Sequence, residues 1–381
     1  MKTLLYTPSS VSLAPTPLRR RPPRRVDLQG ALYVEQFDFT TLFYDVCQVG
    51  DSIFLSGPPL FDTLAGMDVE WCITNQYGRC PVTPTLEDVK KTQNSWIHDV
   101  GQIGGSHLEM SVGRDTVVGL VNSVPEDLFR DRRVLMTKSQ DNRLEWIADW
   151  VKYHVTCHDV DAVLLYDNRS KSYGTQDLLE TLATTGVGVA VVVDWPYKFG
   201  PQGGTRDGVV NAPWDSDFCE YGVLEHARSV FLSAARMVIN TDIDELVVTP
   251  DGRSVLDWLD ATETGLLYYR GRRIESEAEH VDDVPRYYNF RYRDPSSPPS
   301  ATKWTIDPQR AGAVTQWCTH YVAGPAIGEP LDDMYRDFRA INTGWKYPER
   351  TKRRESIPRH YEVDDVAVSA LRRAFPDADW V

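Results

Sequence analysis

Residues Met237-Val238-Ile239-Asn240-Thr241-Asp242-Ile243-Asp244-Glu245-Leu246-Val247-Val248 set an acidic cluster inside an apolar run. The first half reads as a buried strand that breaks into Asp242-Ile243-Asp244-Glu245 and then turns apolar again. Aspartates at i and i+2 on extended backbone point the same way, because strand side chains alternate with period two. Two such carboxylates repel unless a cation lies between them. Magnesium and manganese suit hard oxygen ligands and commonly keep positions open for substrate phosphates. A bare Asp-x-Asp after a strand is more often a solvated loop end or a helix N-terminus. Here Val238 and Ile239 before it and Leu246, Val247 and Val248 after it make the cluster an interruption of a buried element. Charges in such a place are costly unless paired or bound to metal. The stretch therefore points to a metal and a diphosphate held together.

Upstream of this stretch the chain alternates strand and helix. Val134-Leu135-Met136 reads as a strand, and Leu144, Ile147, Ala148, Val151 and Val155 recur at helical spacing. Ala162 to Tyr166 is a second strand, followed by a helix carrying Leu178, Leu179 and Leu182. Val187 to Val193 is a third, and a long helix is expected from about Asp217 to Ala235. The alternation predicts an α/β fold with a mainly parallel sheet flanked by helices. Ligands of such sheets bind outside the carboxyl ends of the strands. Asp167, Asp194 and Asp242 each end a predicted strand and should gather on one rim. Each has a plainer reading alone, Asp167-Asn168 as a turn pair and Asp194 as a strand end.

Residues 130–381 hold this pattern. From Val26 to Phe129 short apolar or alternating runs, such as Phe37-Asp38-Phe39 and Ser52-Ile53-Phe54-Leu55, are separated by Gly and Pro. They predict a small antiparallel β-rich domain that caps the site or binds acceptor. Residues 1–25, rich in Pro, Ser and Arg, are expected to be a disordered tail whose basic stretch makes weak peripheral contact with anionic lipid.

The chain of 381 residues has room for one large or two modest domains. Its formal net charge of −14 argues against broad nucleic-acid binding, which needs a basic surface. Six cysteines without metal-type spacing read as reduced thiols, although Cys72 and Cys80 could be bridged in an oxidising compartment. No signal-peptide core or membrane-spanning run is evident, so the expected location is cytoplasmic, with contact at the inner membrane face left open.

Three stretches in order carry a resemblance: Glu145-Trp146-Ile147-Ala148-Asp149-Trp150 to His154, then Leu165-Tyr166-Asp167-Asn168-Arg169-Ser170, then Asn240-Thr241-Asp242-Ile243-Asp244-Glu245. Together they resemble the nucleotide-sugar-dependent glycosyltransferases of the GT-A fold, and more narrowly glycosyltransferase family 92 and its family 2-like bacterial relatives. Lys303-Trp304, Gln316 to His320, and Phe338-Arg339 to Trp345-Lys346 fit the same group more loosely. The resemblance does not cover the first 130 residues.

It implies a GT-A-type nucleotide-binding domain and transfer of a sugar, with inversion, from a nucleotide-diphosphate donor such as a UDP-sugar to a saccharide or glycolipid acceptor. Lys138, Asp167 and Asn168 would contact the nucleoside, with Glu145 and Asp194 on the donor side. Asp242 and Asp244 would take the ribose and a manganese or magnesium ion. His320 is the expected further ligand, with His360 and Asp337 as rivals and ordinary packing against Trp317 and Tyr321 as the plainer reading. An inverting reaction needs a carboxylate base; Glu275 is the guess from an acidic run that otherwise reads as a solvated loop. Alternatives are a non-catalytic carbohydrate-binding protein on a degenerate transferase fold and another metal-dependent phosphate enzyme. An aspartyl phosphatase fits poorly, since Glu245-Leu246 follows the second aspartate, and a nucleotidyltransferase lacks its Gly-rich loop at Thr137-Lys138-Ser139-Gln140.

Overall fold

A computed structural model describes residues 1–325, 328–344 and 356–380. Trp345 and Lys346 lie outside the described residues. The fold is mixed α/β: a nine-stranded, mostly parallel sheet with smaller, mainly antiparallel sheets beside it. In chain order the strands of the main sheet are β1 (Lys2–Tyr6), β2 (Arg133–Ser139), β3 (Ala162–Asp167), β4 (Val189–Asp194), β5 (Met237–Asn240), β6 (Glu245–Val247), β7 (Leu266–Ile274), β8 (Lys303–Ile306) and β9 (Leu331–Phe338). They lie in the order β1-β4-β3-β2-β5-β8-β7-β9-β6. The first five run parallel. Such strands are buried on both faces, which is why they read as continuous apolar runs.

Helices follow the predicted alternation: α1 (Leu144–His158), α2 (Thr175–Ala183) and α3 (Phe218–His226). The expected long helix continues past α3 only as a π turn over Ala227–Phe231. Trp146, Ile147, Trp150, Val151, Tyr153, His154, Cys157 and His158 form the buried face of α1, at helical spacing.

Residues 1–25 are not the disordered tail that their composition suggests. Lys2–Tyr6 is an edge strand in register with Val189–Val193. Leu4, Leu5 and Tyr6, too few to register as a hydrophobic segment, suffice to add one strand to an existing edge. The basic stretch is partly consumed inside. Arg20 donates to the carbonyls of Asp38 and Pro59 at 2.7 and 2.9 Å and lies over the rings of Phe37 and Phe218. Arg24 donates to Asp215 and to the carbonyls of Gln202 and Pro213. Guanidinium groups spent on buried carbonyls are unavailable to lipid headgroups.

The strands between Thr41 and Ser123 form a four-stranded and a five-stranded sheet, with short side pairs. They are tied to the main sheet by a buried polar node. The Asp45 carboxylate accepts from the Tyr6 hydroxyl at 2.5 Å, the Ser9 amide at 2.7 Å, the Asn122 amide group at 3.2 Å and His226 Nε2 at 2.8 Å. His226 Nδ1 in turn meets the Tyr166 hydroxyl at 2.8 Å. Tyr44, Cys47 and Phe54 join Val134, Leu164 and Val191 in one apolar cluster that bridges the small sheets to the large one, while Leu42, Ile53, Leu55 and Leu108 belong to a separate cluster of the small sheets. All six cysteines are free thiols. Among the described residues no helix is long and apolar enough to cross a membrane.

One topological feature positions the site. Only Thr241–Asp244 separates β5, in the middle of the sheet, from β6 at its far edge. Five residue steps reach about 18 Å when fully extended, and four strand spacings on a flat sheet need about 19 Å. The chain is not extended here, since the Glu245 amide bonds back to the Asp242 carbonyl at 3.0 Å. The sheet must therefore curl until its β6–β9 edge approaches the end of β5. That curl closes the acidic turn in from one side.

Candidate functional site

The parallel strands end level. Ser139 pairs with Asp167 and Asp167 with Asp194, while Asn240 lies opposite Met136. The acidic turn thus leaves the sheet beside Thr137 and Lys138. The rim expected from the strand ends is present, but its members do different jobs. A cleft of about 270 Å³ is lined by Lys138, Asn168, Glu220, Asp242, Asp244 and Asp337 among others. Asp167 and Asp194 are not among its lining residues. The Asp167 carboxylate is turned onto its own loop, accepting from the Ser170 hydroxyl at 2.5 Å and the Ser170 amide at 3.3 Å. Burial raises it above the ordinary aspartate value. Asn168 does reach the cleft, and its amide group braces the wall by donating to the Trp195 and Tyr197 carbonyls, both at 2.9 Å. Lys138 stands with its ammonium 4.5 Å from the Phe199 ring centroid.

The cation between the carboxylates is in part supplied by the chain itself. Lys303 Nζ, from β8, lies 2.6 Å from Asp242 Oδ2 and 2.9 Å from Glu245 Oε2. Its side chain is only 4% exposed, whereas Asp242 is 52% exposed and opens to the cleft. Burial opposes the ammonium, but the charges of Asp242 and Glu245 raise it well above the ordinary lysine value. Burial would likewise raise Asp242, and Lys303 overcomes this and holds it below the usual carboxylate range. Glu245 is a turn-former: its Oε2 accepts from the Asp242 amide at 3.0 Å and the Thr241 hydroxyl at 3.1 Å. Burial, opposed by Lys303, pushes it up to about 7.

Asp244 has no such relief. Its carboxylate makes no hydrogen bond or ion pair among the described residues, and burial followed by the charges of Asp337, Glu245 and Asp242 pushes it well above the ordinary value. Asp337 reaches it because β9 pairs antiparallel with β6, with Glu245 opposite Asp337 and the Phe338 amide bonded to the Asp244 carbonyl at 2.7 Å. Two acidic groups thus face one cleft with their charges opposed.

The expected trio of Asp242, Asp244 and His320 does not assemble. Among the described residues no three His, Cys, Asp or Glu side chains converge as a metal cluster. Lys303 lies against Asp242, and His320 donates through Nδ1 to the Thr302 carbonyl at 3.0 Å, at the surface. Desolvation and the nearby Lys303 charge lower this imidazole below the ordinary histidine value. His360 is elsewhere, 3.9 Å from Asp294. Glu275, buried, is held by Arg339 at 2.7 Å and does not line the cleft. Glu145 is exposed on a neighbouring groove with Arg143 and Tyr173, which adjoins the cleft at Asn342 and Thr343.

Sequence reasoning missed Lys303 as the internal counter-ion and Glu220 as a cleft carboxylate, and it named Asp337 only as a rival of His320. A lysine at the start of the short apolar run Lys303-Trp304-Thr305-Ile306 is the signal for the first, since a buried ammonium needs carboxylates. The other two carry none, because Glu220 reaches the cleft through the packing of α3 and Asp337 through the pairing of β9 with β6.

The motif histidine of α1 has a structural explanation. His154 Nδ1 donates to the Trp150 carbonyl at 2.7 Å and Nε2 accepts from the Val247 amide at 3.3 Å. His158 reverses this pattern, Nε2 donating to the Val247 carbonyl at 2.7 Å and Nδ1 accepting from the Val255 amide at 3.1 Å. The two rings clamp β6, directly after the acidic turn, and each can do so only when neutral. Burial lowers them to about 3 and about 4. A histidine whose folded value lies below its unfolded value loses stability for the fold as pH falls beneath about 6.5, by about 1.4 kcal/mol per pH unit for each ring. Both imidazoles are expected to remain neutral at pH 5.5 in an NMR titration of the folded chain. A midpoint near 6.5 for either ring would contradict the clamp.

The chain matches no protein-family model and no curated protein.

Proposed function

We propose that the chain is a metal-dependent glycosyltransferase of the GT-A type, moving a sugar from a nucleotide-diphosphate donor, such as a UDP-sugar, to a saccharide or glycolipid acceptor. The observation that carries this reading is Asp244 facing Asp337 in a cleft at the carboxyl ends of a parallel sheet, with no cation hydrogen-bonded to Asp244 among the described residues. Two carboxylates are a sparse donor set. It is the set that suits magnesium or manganese, which take one or two carboxylates and complete their coordination with water and substrate phosphates. The donor set fits such an ion better than it would fit a closed structural metal site.

In this reading Asp244 and Asp337 would hold the ion, which would supply positive charge to offset the negative charge developing on a diphosphate leaving group. Asp242, anchored through Oδ2 by Lys303, offers Oδ1 to a ribose hydroxyl. Lys138, at the end of the neighbouring strand β2, would face the diphosphate, and Asn168 would line the nucleoside side. Glu275, neutralised by Arg339, is poorly placed as a base. Glu220 replaces it: it lies in the cleft and has no hydrogen bond or ion pair among the described residues. It would accept the proton of the attacking hydroxyl.

Thermal shift with UDP gives the first test. Stabilisation is expected only with manganese or magnesium present, and EDTA is expected to abolish it. Asp337→Asn should remove the metal-dependent shift, whereas His320→Gln and Glu220→Gln should keep it. Glu220→Gln should slow sugar release from the donor by about 10²–10⁴-fold. Equal UDP stabilisation with and without metal would refute the proposed site.

A further inference from the structure

Next to the cleft is a second cavity, of about 230 Å³, built around three arginines: Arg272 and Arg273 from β7, and Arg293 from the two-residue strand Tyr292–Arg293. Each side chain is about two-thirds buried, with 31, 30 and 32% exposed. In a chain of net charge −14 such a gathering of guanidinium groups runs against the overall electrostatic balance.

Its internal neutralisation is incomplete. Arg272 is bonded to Asp333. Arg273 reaches Asp337 only at 3.9 Å and Arg293 reaches Glu362 only at 3.6 Å, both beyond hydrogen-bond range. The Nε atoms of Arg273 and Arg293 are buried with no hydrogen-bond acceptor among the described residues. The remaining carboxylate on the wall, Asp294, is engaged with the amide and hydroxyl of Ser296 at 2.8 and 2.6 Å. Buried donors without acceptors are uncommon and costly, and guanidinium forks match oxyanions bidentately.

One pair of neighbouring residues links the cavity to the cleft. Arg273 pairs in register with Asp337 across β7 and β9, and Asp337 also lines the cleft. A group held by Arg273 and Arg293 is therefore one side chain away from the bound donor. In the transferase reading the donor's diphosphate would occupy the Asp244 side of Asp337, which leaves the Arg273 side for an acceptor.

We propose that the Arg272, Arg273 and Arg293 cavity is an acceptor subsite that binds a phosphate-sized oxyanion carried by the acceptor. The assignment to an acceptor rests on the glycosyltransferase reading, while oxyanion binding itself does not.

The test uses the full chain in EDTA, so that no metal-dependent phosphate site operates. Inorganic phosphate is titrated by calorimetry, and co-sedimentation is measured with phosphatidylcholine vesicles with and without phosphatidylglycerol. Saturable phosphate binding is expected, weakened at least tenfold by Arg272→Gln/Arg293→Gln. It should be unchanged by Arg253→Gln, an exposed arginine outside the cavity, and by Asp244→Asn. If the double variant does not fold, Arg293→Gln alone supplies the readout, because its one described ion pair is the 3.6 Å contact with Glu362. Anionic-vesicle binding with the same loss would assign the oxyanion to a lipid headgroup, and phosphate binding without vesicle binding to a soluble acceptor. Absence of phosphate binding, or binding that survives the double variant, overturns the subsite. Loss of metal-dependent UDP stabilisation with phosphate binding intact would instead count against the transferase reading alone.

Discussion

Asp244→Asn is expected to abolish metal-dependent UDP binding and to slow sugar release from a UDP-sugar by at least about 10²-fold, the scale on which single electrostatic groups contribute to catalysis. The same substitution should leave the fold intact and raise the melting temperature of the metal-free chain slightly. The direction follows from the charge distribution. Burial and the charges of Asp337, Glu245 and Asp242 hold the Asp244 carboxyl well above its ordinary value, so its ionised form is disfavoured in the folded chain. An acid whose folded value is raised destabilises the fold as pH rises from the unfolded value through the folded one, and an amide removes that penalty. Metal affinity must run the other way, strengthening as pH rises, because the ligand has to lose its proton. Calorimetric titration of manganese between pH 5.5 and 8 measures this directly. Full donor turnover by a folded Asp244→Asn chain, or a melting temperature lowered by many degrees, would mean that Asp244 is structural.

Lys303→Met is expected to be the most destabilising single change at the site. Removing one partner of a buried ion pair costs about 3–5 kcal/mol, because the remaining charge is left uncompensated in a poorly solvated place. Here two carboxylates lose their counter-ion, and Glu245, whose Oε2 sits 2.9 Å from Nζ, is itself buried. The loss should depend on pH. Glu245 stands at about 7 even with Lys303 present, and without the ammonium it moves higher. Its ionised form then opposes folding at pH 8 and is relieved by protonation as pH falls toward 5. Urea unfolding at the two pH values should therefore give a larger loss at pH 8. The double variant Lys303→Met/Glu245→Gln should recover part of it. A loss that is equal at both pH values would show that Lys303 acts through packing of its stem.

The legible part of this protein was local. Apolar runs of β2 to β5 and the helical spacing of α1 and α2 follow from side-chain periodicity, and they suffice for a mixed α/β fold with a largely parallel sheet. A single signal failed at the N-terminus. Leu4, Leu5 and Tyr6 are too short a run to stand out from a Pro- and Arg-rich segment, yet an edge needs only five residues to gain a strand. At the site, Asp242 and Asp244 are visible as an acidic interruption of a buried element, and the stretch from Glu145 to His154 is visible as a motif without a stated role. Its role is to clamp Val247.

What the sequence alone determined was that charge is placed at the carboxyl end of a buried strand, because alternation and hydrophobic context are properties of neighbouring residues. Which charges meet was decided only by tertiary structure. Lys303 lies 61 positions from Asp242, and Asp337 comes to Asp244 only because β9 pairs with β6. The first encounter follows from the antiparallel pairing of β8 beside β5, the second requires the sheet to curl around a four-residue turn, and no local pattern encodes either. The parallel pairing of β7 with β9 likewise puts Arg273 beside Asp337.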